Sequence, residues 1–274
     1  MAGEAEMWKS LPQNHLKRST KLPWYHTTFE HKLKPEFRAL LEEWSKVPDE
    51  NVVAHVYQVP CIGEFWFIEQ GLLRHPDYPR ILQRMTSSAT PSPRFLDLGT
   101  CLGQDVRTLL HAGASPSAVY GADVLPGFKD AGYTLFQDRD RFDDSHFITD
   151  DIFSEVDELA RTRDQQAASK NILKLLKLVS GSMIVGTQTG SLDAGDFKLQ
   201  PPLCEPGQDK TIYRQSKETL RTLFEDAAQA LGISVRVWTE YDEGIGESGG
   251  DWKNEGRVFV GSKERRIFLR IELL

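Results

Sequence analysis

At 274 residues the chain can bury a full core, and its 39% hydrophobic and 10% aromatic content marks it as globular rather than disordered. A net charge of −7 supplies no basic face, which excludes a nucleic-acid backbone as the expected partner. No apolar run reaches the roughly 18 residues of a membrane span, and Cys61, Cys101 and Cys204 lack metal-type spacing, as reduced cytoplasmic thiols would.

Residues 1–30 are polar with scattered aromatics and no apolar core of a secretory signal, so they read as a loose arm. Pro35 then opens a helix whose apolar positions Phe37, Leu40, Leu41 and Trp44 recur at helical spacing. A second helix runs from Pro48 to Val59, and Pro60-Cys-Ile-Gly63 breaks it. Phe65-Trp-Phe-Ile68 is a dense apolar patch, and Pro79 leads a short helix to Met85. The stretch Thr86 to Pro93 is a linker by composition. The expected division is a helical cap or lid over residues 1–90 and a main domain over 91–274.

From Phe95 the pattern alternates strand and helix, which predicts an α/β domain with a mostly parallel, Rossmann-like sheet. Strands are expected at 94–98, 118–123, 146–149, 182–187, 233–240 and 266–273. Helices are expected at 103–112, 127–136, about 154–179 and about 216–231.

The chemistry concentrates at Asp97-x-Gly99-x-x-x-Gly103, a strand-to-helix turn in which glycines let backbone approach a ligand. Amides at the start of the following helix would face a carboxylate. The glycines do not follow the Gly-x-Gly-x-x-Gly spacing of dinucleotide folds, and no Gly-Lys-Ser/Thr follows, so a phosphate loop is excluded. Asp123 ends the next strand, 24 residues beyond Gly99, where a carboxylate can take both hydroxyls of a ribose. The bland alternative for Asp123 is a turn cap before Leu125-Pro-Gly127. Together with Asp97, these residues favour S-adenosyl-L-methionine over a dinucleotide. Val124 follows the ribose carboxylate, and Asp150, Asp151 and Ile152 follow the third strand, where an adenine amine and ring would be met; a helix cap is the alternative there. No metal site is expected, and Asp138 to Asp144 reads as a solvated charge run. Cys101 reads as a small core residue rather than a nucleophile.

With these residues in view, the chain resembles fungal small-molecule methyltransferases of meroterpenoid pathways, the austinol and andrastin type. The matching segments are Pro60-Cys-Ile-Gly63, Leu73-Arg-His-Pro-Asp-Tyr-Pro79, Phe95-Leu-Asp-Leu-Gly-x-Cys-Leu-Gly-Gln-Asp105, Tyr120-Gly-Ala-Asp123, Ser182-Met-Ile-Val-Gly-x-Gln-x-Gly190 and Tyr213-Arg214. The resemblance implies a class I fold and S-adenosylmethionine-dependent methylation, often of a carboxyl, during secondary-metabolite assembly. It also implies a homodimer, for which the aromatic-rich N-terminal cap is the expected surface. One departure is large: the 28 residues between Phe153 and Ser182 read as continuous helix, where such proteins carry a further central strand. The sheet is therefore expected one strand short, with 182–187 pairing directly with 94–98.

A carboxylate acceptor is already ionised near neutral pH and needs no general base. Trp66, with its aromatic neighbours, is then a candidate lid residue, and Arg74 or Arg214 a candidate holder of the acid. His75 is the candidate base for a phenolic acceptor, with a structural turn as the alternative. The competing reading is a catalytically impaired relative that still binds cofactor; a nicotinamide oxidoreductase is disfavoured by the glycine spacing.

Overall fold

A computed structural model describes residues 29–59, 67–88, 92–151, 165–198, 207, 209, 211–242 and 264–274. Of these, residues up to Asp151 fall in one compact unit and those from 165 onward in another. The described helices of the 1–90 segment thus share a unit with the first strands of the 91–274 segment.

In the first unit, Lys34 is extended and Pro35 sits at the first helical position, so the chain enters α1 (Pro35–Ala39) without losing a hydrogen bond. The expected helix through Trp44 continues as a π-turn, Leu40–Trp44, closed by the Ser45 amide on the Leu40 carbonyl. Helix α2 (Val52–Val56) is shorter than the expected 48–59, because a 3-10 turn at Asp49–Asn51 precedes it. Phe37, Leu40, Leu41, Val52 and Val56 pack with Leu102, Leu135 and Phe136 in one buried cluster. The N-terminal helices therefore lean on the glycine turn and on the helix Gly127–Phe136. Helix α3 (Tyr78–Met85) matches expectation closely.

Three short strands, β1 (Phe95–Leu98), β2 (Val119–Asp123) and β3 (Phe147–Thr149), pair in parallel in the order β1-β2-β3. Between them lie α4 (Gln104–His111) and α5 (Gly127–Phe136). The register sets Asp97 opposite Gly121 and Asp123 opposite Thr149. A Cβ on Gly121 would come within 2.9 Å of both Phe147 and Thr100, and one on Gly132 would collide with the Leu102 carbonyl. Both glycines are explained by close approach rather than by turn geometry.

The second unit holds α6 (Gln165–Lys174), β4 (Met183–Ser191), the hairpin β5 (Gly195–Lys198) and β6 (Thr211–Arg214), α7 (Lys217–Leu231), β7 (Val235–Tyr241) and β8 (Glu264–Leu273). Ser216 and Thr219 form a reciprocal capping box at the start of α7, and Gly232 closes it in the left-handed conformation. Leu173, Leu220, Phe224, Ala227 and Ala228 pack onto Ile267, Leu269 and Ile271 of the central strand β8.

The expected α/β, Rossmann-like pattern is present: β1-β2-β3 form a parallel ladder, and in the second unit β4, over its nine residues, and β7 both run antiparallel to β8. One expectation is corrected here. Within the described part of 154–179, the helix ends at Lys174: Leu175 and Leu176 bond three residues back, and Gly181 turns with φ +83°.

The charge run beginning at Asp138 is a second correction. Asp138 is fully buried and takes a bidentate pair from Arg107, itself 0% exposed, at 2.9 Å for both Nε and Nη2. Trp44 Nε1 donates to the same carboxylate at 2.9 Å. The guanidinium lies over the rings of Phe136 and Phe147 at 4.7 and 4.9 Å. Asp138→Ala leaves a buried cation without its counter-ion, and should lower stability by about 3–5 kcal/mol in chemical denaturation. Substitution of the exposed neighbour Asp140 should leave the unfolding midpoint nearly unchanged.

Candidate cofactor site

The turn between β1 and α4 is an unusual piece of backbone. Gly99, Cys101 and Gly103 all have positive φ, at +68°, +51° and +72°. Glycine adopts this region freely, but Cys101 does so against the clash of its own Cβ, so the turn must be held from outside. Asp123 Oδ2 accepts from the Cys101 amide at 3.0 Å. The Gly99 and Thr100 amides bond the Ala122 carbonyl at 2.8 and 3.0 Å. On the far side, Arg107 Nη1 donates to the Leu102 carbonyl at 3.0 Å. The two glycines differ in what they permit. A Cβ on Gly103 would run into Arg107 and Phe147, whereas one on Gly99 would meet nothing within 4 Å. At Gly99 only the backbone angle demands glycine, and the space beside it is open.

Asp123 also accepts from the Leu125 amide at 3.0 Å through Oδ1. It therefore does cap its turn, the plainer of the two sequence readings. A carboxylate has about four lone-pair sites, though, so these two bonds leave acceptor capacity for a diol. The Asp150 amide reaches the Asp123 carbonyl at 3.2 Å, and Asp150 Oδ1 accepts from the Asp151 amide at 2.8 Å. Asp97, Gly99, Gly103, Asp123, Val124, Asp150 and Asp151 thus sit on three adjacent strand ends. Val124 is 57% exposed beside the aspartate. Ile152 and Trp66 lie outside the described residues.

The remaining candidates are dispersed. Arg74 pairs with Glu69 at 3.3 Å. His75 is buried and its Nδ1 accepts from the Asp77 amide at 3.1 Å, a turn-forming contact. Arg214 belongs to the second unit, where its Nη1 donates to the Thr189 carbonyl at 3.3 Å. A surface depression of about 560 Å³ lies elsewhere in the first unit, bounded by Asp130, Tyr133, Thr134, Gln137, Arg139 and Asp140; it includes none of these residues. Cys101 is half-buried against the core cluster, and burial pushes its thiol up to about 12, so it is no nucleophile.

One residue escaped the sequence reading. Asp105, in the first turn of α4, accepts from the Leu72 amide at 3.2 Å and shares a poorly solvated corner with Asp97. Burial, and to a lesser degree the Asp123 charge, raises the Asp97 carboxyl to about 6 against the opposing Thr100 hydrogen bond at 2.7 Å. Burial and then the Asp97 charge raise Asp105 to about 8. The two titrate as a pair. Its position two residues after Gly103 in Gly-Gln-Asp105 was the available signal.

The first unit thus brings together a strand-end carboxylate, an open glycine turn and two poorly solvated carboxyls. A family model described as the meroterpenoid methyltransferase N-terminal domain matches residues 24–68. The O-methyltransferase atr3 of Stereocaulon alpinum is 31% identical, over 92% of this chain and 78% of its own. The methyltransferase ausD of Penicillium brasilianum is 30% identical, over 84% of this chain and 88% of its own. Among solved structures, a phosphoethanolamine N-methyltransferase 2 of Haemonchus contortus is similar with a TM-score of 0.47 at 15% identity. That match covers 86% of this chain, which spans 60% of the Haemonchus chain. The chain belongs to the family of fungal methyltransferases of secondary metabolism that includes atr3 and ausD. With membership go the class I α/β fold and S-adenosyl-L-methionine as methyl donor.

The carboxyl pair has a measurable consequence. Both groups hold protons more tightly folded than unfolded, so between the ordinary carboxylate range and about pH 8 the native state binds the more protons. Their contribution to stability is fully present below about pH 4 and is lost as pH rises through the raised values. In thermal melts without ligand, this contribution should decline from pH 5 to pH 9. Asp105→Asn, a neutral isostere, should flatten the upper part of that decline; an unchanged slope would sink the assignment.

Proposed function

We propose that the protein transfers the methyl group of S-adenosyl-L-methionine to an oxygen of a small molecule. The favoured acceptor is a carboxylate of a terpenoid or polyketide intermediate in meroterpenoid assembly. The observation that carries this reading is the placement of Asp123, whose two bonds to the Cys101 and Leu125 amides lock its carboxylate while leaving acceptor sites for a ribose diol. Three further features fit the same cofactor. The open side of Gly99 admits a close approach. Among the described residues no basic group offsets the raised Asp97 and Asp105 carboxyls, and an ammonium would fill that need. Asp150, Asp151, Ile152 and Val124 supply a carboxylate and apolar surface for an aminopurine.

The cofactor brings a methyl group already activated by a positively charged sulfur. The chain's own contribution is then binding, alignment and exclusion of water. Asp123 fixes the sugar, Asp97 with Asp105 takes the amino group, and the first amides of α4 face the amino-acid carboxylate. A carboxylate acceptor requires no proton removal near neutral pH. A cation beside it is enough, and Arg74 or Arg214 is assigned that task, with Trp66 as cover. His75 would serve as base only for a phenolic acceptor; its burial and its bond from the Asp77 amide favour the carboxylate. The name of atr3, an O-methyltransferase, supports oxygen as the acceptor atom. The proposal includes a cytoplasmic homodimer, with residues 1–90 as the cap; among the described residues no helix is long and apolar enough to cross a membrane.

Calorimetry with S-adenosylhomocysteine is the direct test. Binding should be clear for the wild type and lost in Asp123→Ala, with far-ultraviolet circular dichroism unchanged. Turnover of a panel of terpenoid acids against their methyl esters and phenolic analogues then separates acid methylation from the alternatives. Binding without turnover of any acceptor would favour a catalytically impaired binding protein.

A further inference from the structure

We propose that Arg107 is a positioning residue that sets cofactor affinity by holding the glycine turn in its left-handed form. This rests on the reading of that turn as the cofactor site. The argument begins from Cys101, a non-glycine residue at φ +51° flanked by glycines at +68° and +72°. Such a turn persists only where its surroundings over-determine it. Two clamps bracket Cys101 and Leu102: Asp123 takes the Cys101 amide, and Arg107 Nη1 gives to the Leu102 carbonyl at 3.0 Å and reaches the Gly103 carbonyl at 3.5 Å. The first clamp is made of a residue assigned to the cofactor itself. The second is made of a side chain with no exposed surface.

The second clamp is rigid because Arg107 cannot turn. Two of its guanidinium nitrogens, Nε and Nη2, are fixed on Asp138 at 2.9 Å each, leaving Nη1 for the turn. The rings of Tyr133, Phe136, Phe142 and Phe147 surround its plane at 4.7–5.8 Å. Trp44 holds the far side of Asp138. Gly103 completes the fit, because a Cβ there would strike Arg107 Nη1. A lysine could neutralise Asp138 but could not also serve Leu102 from a planar fork.

The competing account is that Arg107 merely stabilises the core, and it makes a different prediction. Trp44→Phe removes a hydrogen bond from the same buried cluster without touching the turn. Both Trp44→Phe and Arg107→Lys should lower the melting temperature. Only Arg107→Lys should raise the KM for S-adenosyl-L-methionine, by about tenfold or more, with a much smaller change in kcat. Calorimetric affinity for S-adenosylhomocysteine should fall in parallel. If Arg107→Lys does not fold, the double variant Arg107→Gln with Asp138→Asn keeps a neutral packed pair, and the same KM rise is expected. Equal KM values in the arginine and tryptophan variants, or an unchanged KM in the variant that folds, would overturn the proposal. A wild type that binds no S-adenosylhomocysteine would instead remove the site reading and this inference together.

Discussion

The buried ion pair of Arg107 and Asp138 joins most of what matters in the first unit. Taking two charges out of water is expensive, and mutual attraction repays it only when the geometry is good and the remaining donors are satisfied. Here the carboxylate accepts from both Arg107 and Trp44, and the guanidinium's remaining nitrogen, Nη1, meets a backbone carbonyl. A hydrophobic pair of the same volume could fill that space, yet it could not reach out and hold the Leu102 carbonyl. The pair therefore contributes position more than stability. It ties α4, the segment after α5, the N-terminal π-turn and the glycine turn to one point.

Around that fixed point three carboxyl groups gather near the turn. Asp97, Asp105 and Asp123 come from β1, α4 and β2, and the first two are too poorly solvated to carry full charge comfortably. Such an arrangement disfavours the empty state and favours a ligand that brings positive charge, since each carboxylate ionised by the ligand gains a partner. A dinucleotide brings phosphates and would worsen the repulsion. The electrostatics thus point the same way as the glycine spacing, although the two observations are physically independent.

Much of this was legible in the sequence because it is local. Pro35, the glycines at 99 and 103, and the strand-end Asp123 each carry a short-range rule, and α5 falls on the expected 127–136. What was missed is long-range. Nothing in the sequence around Arg107 or Asp138 distinguishes a buried pair 31 residues apart from two solvated charges. Asp105 was not singled out because its partner, the Leu72 amide, lies 33 residues away. The β5–β6 hairpin escaped because its strands are four residues each and their burial is slight.

The shortened stretch between Phe153 and Ser182 bears differently on the two halves of the chemistry. Every residue assigned to the cofactor lies between Asp97 and Ile152, and those described are set against one another by the β1-β2-β3 ladder and by bonds such as Asp150 to Asp123. That ladder takes its register from residues 95–149 alone. The acceptor candidates are held locally: Arg74 and His75 by contacts before α3, and Arg214, in the second unit, by the Thr189 carbonyl of β4. The proposed donor grip therefore rests on residues up to 152, and the stretch between Phe153 and Ser182 bears on the proposed acceptor instead.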